Sequence, residues 1–152
     1  MADNDDIDIN TLNSLVEITF DSVHSYLEAA DHARDVRFQQ LFVDRSEERL
    51  RIAHELQAQI RSLGGRPAHD GTVMGSARCA FMNLRATVSG DQGIINEIAA
   101  GENRIRDEFE AVLDKARLSG SYRDLVIRIY ASVRADCDRM RDLKHGLQSF
   151  RI

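Results

Sequence analysis

LGGRPAHDGTVMGSARCAFMNLRATVSG, residues 63–90, is the stretch that decides the fold. Gly64 and Gly65 can take a left-handed cap and Pro67 blocks continuation, so a helix must stop here. The run that follows, residues 66–90, is too long for a tight turn. Its middle, 73–88, is apolar enough for a short helix of its own. A connection of this kind travels along a molecule rather than reversing at its end.

Working outward, the flanks are strongly amphipathic. Upstream, a helix is expected over residues 9–33, capped by Asn10 or Thr11, with the stripe Leu12, Val16, Phe20, Val23, Leu27 and Ala30. A second begins near Asp35 or Val36; Phe42, Ile52, Leu56 and Ile60 mark its inner face. Downstream, a third helix starts after Ser89-Gly90-Asp91 and runs to about Arg117, through Ile95, Ile98, Glu102, Ile105 and Phe109. LSGS (118–121) makes a short turn, and the fourth helix carries Leu125, Ile129, Val133, Asp136 and Met140. No segment alternates with strand period. Short, long, short connections predict an all-α, ferritin-like four-helix bundle with a long crossover, containing a short helix, between helices two and three. Residues 9–152 form its single domain and residues 1–8 an acidic disordered tail.

Composition narrows the function classes. One proline and no tryptophan among 152 residues favour helices. A formal net charge of −5 opposes non-specific nucleic-acid binding. From Tyr122 onward seven Lys/Arg face four Asp, a local excess that reads as a solvated helix face rather than a phosphate site. No apolar run is long enough to span a membrane, and the acidic N-terminus lacks a secretory layout. Cys79 and Cys137, without C-x-x-C spacing, read as reduced thiols of a cytoplasmic chain.

Polar residues interrupt the apolar stripe near each helix midpoint. They are Glu17 and Asp21 in helix one, Arg45 and Arg49 in helix two, Glu102 in helix three and Asp136 in helix four. If helices one and four run one way and two and three the other, these levels converge in one layer. Di-iron bundles use such a layer, but they complete it with Glu-x-x-His on two helices. That motif is missing here. Asp21-x-x-His24 and Asp142-x-x-His145 come nearest, and they fall at different levels. Helix two offers arginines instead, which stay protonated and cannot ligate. The expectation is therefore a structural polar core of Asp21, Arg45, Arg49, Glu102 and Asp136, with no cofactor. The alternative is an iron or manganese site on Glu17, Asp21, Glu102 and Asp136. His32, His54 and His69 lack ligand-like neighbours, and Tyr26 reads as core packing.

Segments 12–30, 48–67, 71–84 and 96–113 together resemble a bacterial family of ferritin-like four-helix-bundle proteins catalogued as a domain of unknown function. The resemblance rests on Leu12-Asn13, Glu17, Asp21, Arg49, the Leu63-Gly64-Gly65-x-Pro67 stop, Gly75 and Gly101-Glu102. The chain departs from the family pattern twice. Arg78, Cys79 and Phe81 stand where relatives have His-Arg and then Trp, and Ala135 stands where a His precedes the helix-four Asp. Both departures remove histidines. The resemblance implies a ferritin-like fold and no established activity. The function expected is non-enzymatic, through a protein partner or a homo-oligomer such as a dimer, with no nucleic acid and no membrane. The alternative is metal storage or oxidation.

Overall fold

The structure, a computed structural model, describes the backbone of residues 2–115, 118 and 120–149. Side chains are described for residues 5–72, 90–114, 118, 120 and 122–146. Four helices account for it: α1 (Ala2–His32), α2 (Val36–Ser62), α3 (Val73–Lys115) and α4 (Gly120–Ser149). Among the described residues there is no strand.

The boundaries have local causes. Helix α1 begins at Ala2, inside the stretch expected as an acidic tail. Asp5 and Asp6 lie close to its positive N-terminal end, where carboxylates favour helix over coil, and Asp8 is already buried. The Asp35 carboxylate caps α2 by accepting from the Arg37 backbone N–H at 2.9 Å. At the other end Gly64 takes φ 80°, and the Gly64 and Gly65 amides return to the carbonyls of Arg61 and Ile60. Helix α3 is interrupted once, at Gly90 (φ 68°, ψ −157°). Two helices thus meet at Gly90, one over the stretch expected as a short helix and one after it, at a kink where a residue without Cβ tolerates positive φ. Ala116 and Arg117, at the expected end of the third helix, and Ser119, in the expected 118–121 turn, lie outside the described residues.

Side-chain contacts give the helix directions. Asn13, early in α1, holds Arg66 and Ala68 just past the end of α2, so these two helices are antiparallel. Arg123, Tyr130 and Cys137 reach Leu113, Glu110 and Asn103, so α4 runs against α3. Arg128, Ser132 and Asp136 meet Glu55, Glu48 and Arg45, so α4 also runs against α2.

The core comes in two parts. One apolar cluster joins Leu12, Leu15 and Val16 to Leu56, Ile60, Phe109 and Ile129. The other joins Tyr26 and Ala29 to Phe42, Ile95, Ile98 and Met140. The two clusters lie about two to three turns apart on each helix, and the buried residues between them are mostly polar. Leu27, expected on the inner stripe, is 45% exposed, and Tyr26 takes the inward position. Of the buried positions in α1 and just after it, Leu12, Leu15, Thr19, Ser22, Tyr26, Ala29 and Ala33 step by 3.5 residues on average, with Val16 and Val23 buried beside them. That is a heptad seam, which places position 27 outside it.

Candidate functional site

The level between the two clusters is occupied by Thr19 and Ser22 of α1, Ser46 and Arg49 of α2, Glu102 of α3 and Asp136 of α4, all buried. Arg49 is 0% exposed and stands at the centre. Its Nη1 donates to Glu102 Oε1 at 3.0 Å and its Nη2 to Oε2 at 2.6 Å, a two-pronged match of guanidinium to carboxylate. Nη2 also donates to Asp136 Oδ2 (3.3 Å), and Nη1 to Ser22 Oγ (3.0 Å). The guanidinium carbon sits 5.8 Å from the centre of the Tyr26 ring, within cation–π range. One arginine of α2 therefore touches each of the other three helices.

Arg45, one turn earlier, extends this arrangement toward the α2–α4 surface. It pairs with Asp136 Oδ1 (3.2 Å) and with Glu48 (2.6 Å), which also accepts from Ser132 (2.9 Å). Arg139 reaches the same Asp136 oxygen at 3.3 Å. Three guanidinium groups, of Arg45, Arg49 and Arg139, thus balance the carboxylates of Glu48, Glu102 and Asp136. The assembly is formally neutral, as a charged group needs to be away from water.

Burial acts on each member. It pushes the Glu102 carboxyl above the usual range, outweighing the pull of Arg49. Asp136 is raised for the same reason. Burial tends to lower Arg49, but the adjoining Glu102 carboxylate holds it above its ordinary value. The Tyr26 phenol is held far up, by burial first and then by Glu102, and so stays neutral. Its hydroxyl is near enough to influence Glu102 yet makes no hydrogen bond of good geometry. Glu48 is drawn down: burial acts upward, but hydrogen bonds from Ser132 and Arg45 prevail.

Of the residues singled out in the sequence, Arg45, Arg49, Glu102 and Asp136 come together in this layer. Asp21 is placed elsewhere. Both its oxygens face the segment after α2, taking the Thr72 backbone N–H (2.8 Å) and hydroxyl (2.7 Å). Seated there, it leaves no room for a side chain at residue 71, since a Cβ on Gly71 would overlap its carboxylate. Asn13 does similar work beside it, donating to Arg66 O (3.0 Å) and accepting from Ala68 N (2.7 Å). Glu17 is half-buried and borders the hollow between α1 and this segment. His24 turns to Asp70 at 3.2 Å, outside the layer. Arg78, Cys79 and Phe81 have side chains outside those described. Ser22, Tyr26, Glu48 and Ser132 join the site without having been foreseen. A seryl hydroxyl on the α1 seam at position 22 was the readable sign.

Among the described residues, no group of three or more His, Cys, Asp and Glu side chains is arranged to hold a metal ion. No helix among them is long and apolar enough to cross a membrane. The class these features define is an all-helical bundle whose hydrophobic core is divided by a buried arginine–carboxylate layer. The chain belongs to the family described as Domain of unknown function (DUF2383), whose model matches residues 8–115. The match takes in Arg49 and Glu102 and leaves α4, with Asp136, beyond it. No curated protein and no solved structure matches the chain.

Proposed function

We propose that this chain is a non-enzymatic bundle of ferritin-like topology that acts through its surface, by self-association or by binding another protein. The helix directions support the topology. Helix α4 opposes both α2 and the 91–115 part of α3, so those two share a direction, and the segment joining them must return along the bundle.

The observation that carries the functional reading is Arg49. A carboxylate-bridged pair of iron or manganese ions would call on Glu17, Asp21, Glu102 and Asp136. Glu102 gives both oxygens to Arg49, Asp136 is shared by three guanidinium groups, and Asp21 is engaged with Thr72. This donor set fits guanidinium, not metal. A layer so completed locks the bundle and leaves the exterior as the working part.

The test is elemental mass spectrometry on untagged protein purified without chelator and challenged with Fe(II) and Mn(II), followed by light scattering. Metal-free protein with a mass above one chain, or with a partner captured stoichiometrically, is the expected result. Near-stoichiometric metal that is lost in Glu102→Ala would overturn it, as would a strict monomer that captures nothing.

A further inference from the structure

Between α1 and the 91–115 part of α3 lies a partly enclosed cavity of about 490 Å³ that reaches the polar layer from outside. Its size falls within the range usual for small-molecule sites, roughly 300–1,000 Å³. Its walls are mixed. Ile18, Ile98 and Ile105 give it apolar sides, and Ser22, Tyr26 and Glu102 give it a polar floor. Gly101 keeps it open: a Cβ there would meet nothing nearer than the end of Arg104, at 3.6 Å.

Two independent features indicate what such a space accepts. The first is the Tyr26 hydroxyl. Tyr26 belongs to the cavity wall and is 1% exposed, yet among the described residues its Oη makes no hydrogen bond of good geometry, Glu102 being the nearby acceptor. A buried phenol in that state costs free energy that a bound polar group would recover. The second is charge. Besides Glu102, the lining holds Asp21, Glu97, Asp107 and Glu108, against Arg104 as the lining cation. Glu102 is neutralised by Arg49 and Asp107 is paired with Arg106. Asp21 bonds only to uncharged Thr72, and Glu108 has no cationic partner among the described residues. The mouth is therefore net negative.

We propose that this cavity is a binding site for a small organic cation, a protonated amine on an apolar body whose far end carries a hydroxyl for Tyr26. The ammonium lies at the carboxylate rim, the body lies against the isoleucines, and the distal hydroxyl meets Tyr26 Oη. A bare divalent ion fits less well, because the described carboxylates do not converge into a ligand set.

Three probes of one shape separate the contributions: tyramine, phenethylamine (no distal hydroxyl) and tyrosol (no ammonium). Binding is read by calorimetry, and by the amide resonances of Gly101 and Glu102. Tyramine is expected to saturate the site below about 1 mM, with phenethylamine and tyrosol each weaker by roughly tenfold. Tyr26→Phe, which removes an oxygen that makes no hydrogen bond of good geometry, keeps the fold and reduces tyramine to the phenethylamine level. Gly101→Leu fills the space and abolishes binding of all three. The proposal is overturned if tyramine does not saturate by about 10 mM. It is equally overturned if tyrosol equals tyramine, or if Tyr26→Phe, folded by circular dichroism, binds tyramine unchanged.

Discussion

Arg49→Met tests the polar layer most directly. Methionine replaces the alkyl stem and much of the volume, while deleting a group that makes four hydrogen bonds, to Ser22, to both Glu102 oxygens and to Asp136. The larger consequence is what stays behind: Glu102 is stranded at 3% exposure, and Asp136 at 1% keeps only Arg45 and Arg139. Breaking a buried pair in this way costs about 3–5 kcal/mol. For a domain of this length each kcal/mol moves the melting temperature by roughly 2–4 °C, so Tm should fall by about 6–20 °C. Urea denaturation supplies the free energy directly. Removing the carboxylates as well should recover most of the loss: Arg49→Met with Glu102→Leu leaves no stranded anion on α3, and such swaps are often neutral or better. The two changes should therefore be strongly non-additive in a double-mutant cycle. A loss below about 1 kcal/mol for Arg49→Met, or simple additivity with Glu102→Leu, would refute the view that these charges are mutually dependent.

Three further outcomes follow from the same geometry. Glu102 and Asp136 have folded-state carboxyls raised above their unfolded values, so the native state holds more protons in mildly acidic solution and their contribution to stability diminishes as pH rises through that window; urea midpoints measured from neutral to mildly acidic pH should show this slope, and Glu102→Gln should flatten it. Asp21→Ala, which frees the Thr72 N–H and hydroxyl, should cost about 1–3 kcal/mol and speed proteolysis within residues 66–72, while the near-ultraviolet signature of the core persists; unchanged cleavage there would contradict it. Cys137 is buried beside Asn103 and its thiol is pushed up by burial, so a maleimide should label it in the native protein only on the timescale of unfolding, and rapid labelling would count against this packing.

The apolar framework was legible because it is periodic. Ile52, Leu56 and Ile60, or Ile129, Val133 and Met140, recur at helical spacing and are buried together. The stop at Gly64 and the break at Gly90 were legible because positive φ leaves few residue choices. Arg49 and Glu102 stood out as charges on an apolar face, where only a partner makes them tolerable. Asp21 has the same appearance in sequence, and its partner proved to be a backbone amide and a threonine 51 residues away. Helical spacing says which way a side chain points around its own axis, not what stands opposite. Leu27 fell outside the seam, and Tyr26 came into it, through the difference between 3.6 and 3.5 residues per turn, which grows along a helix of 31 residues.

Gly90 marks the break in α3, and the next residue, Asp91, reaches back to the first chain reversal. Its two oxygens accept the backbone N–H groups of Arg34 (2.8 Å) and Asp35 (3.0 Å), in the bend between α1 and α2. The grip is on main chain alone, so it is indifferent to which side chains the bend carries. The instruction for that corner is thus spelled 56 and 57 positions downstream of the residues that obey it. A survey confined to Arg34, whose side chain neither caps α2 as Asp35 does nor is buried as Ala33 is, would find it permissive and conclude that the corner is unimportant. The sensitivity would surface at position 91, in a helix that such a survey would have no reason to visit.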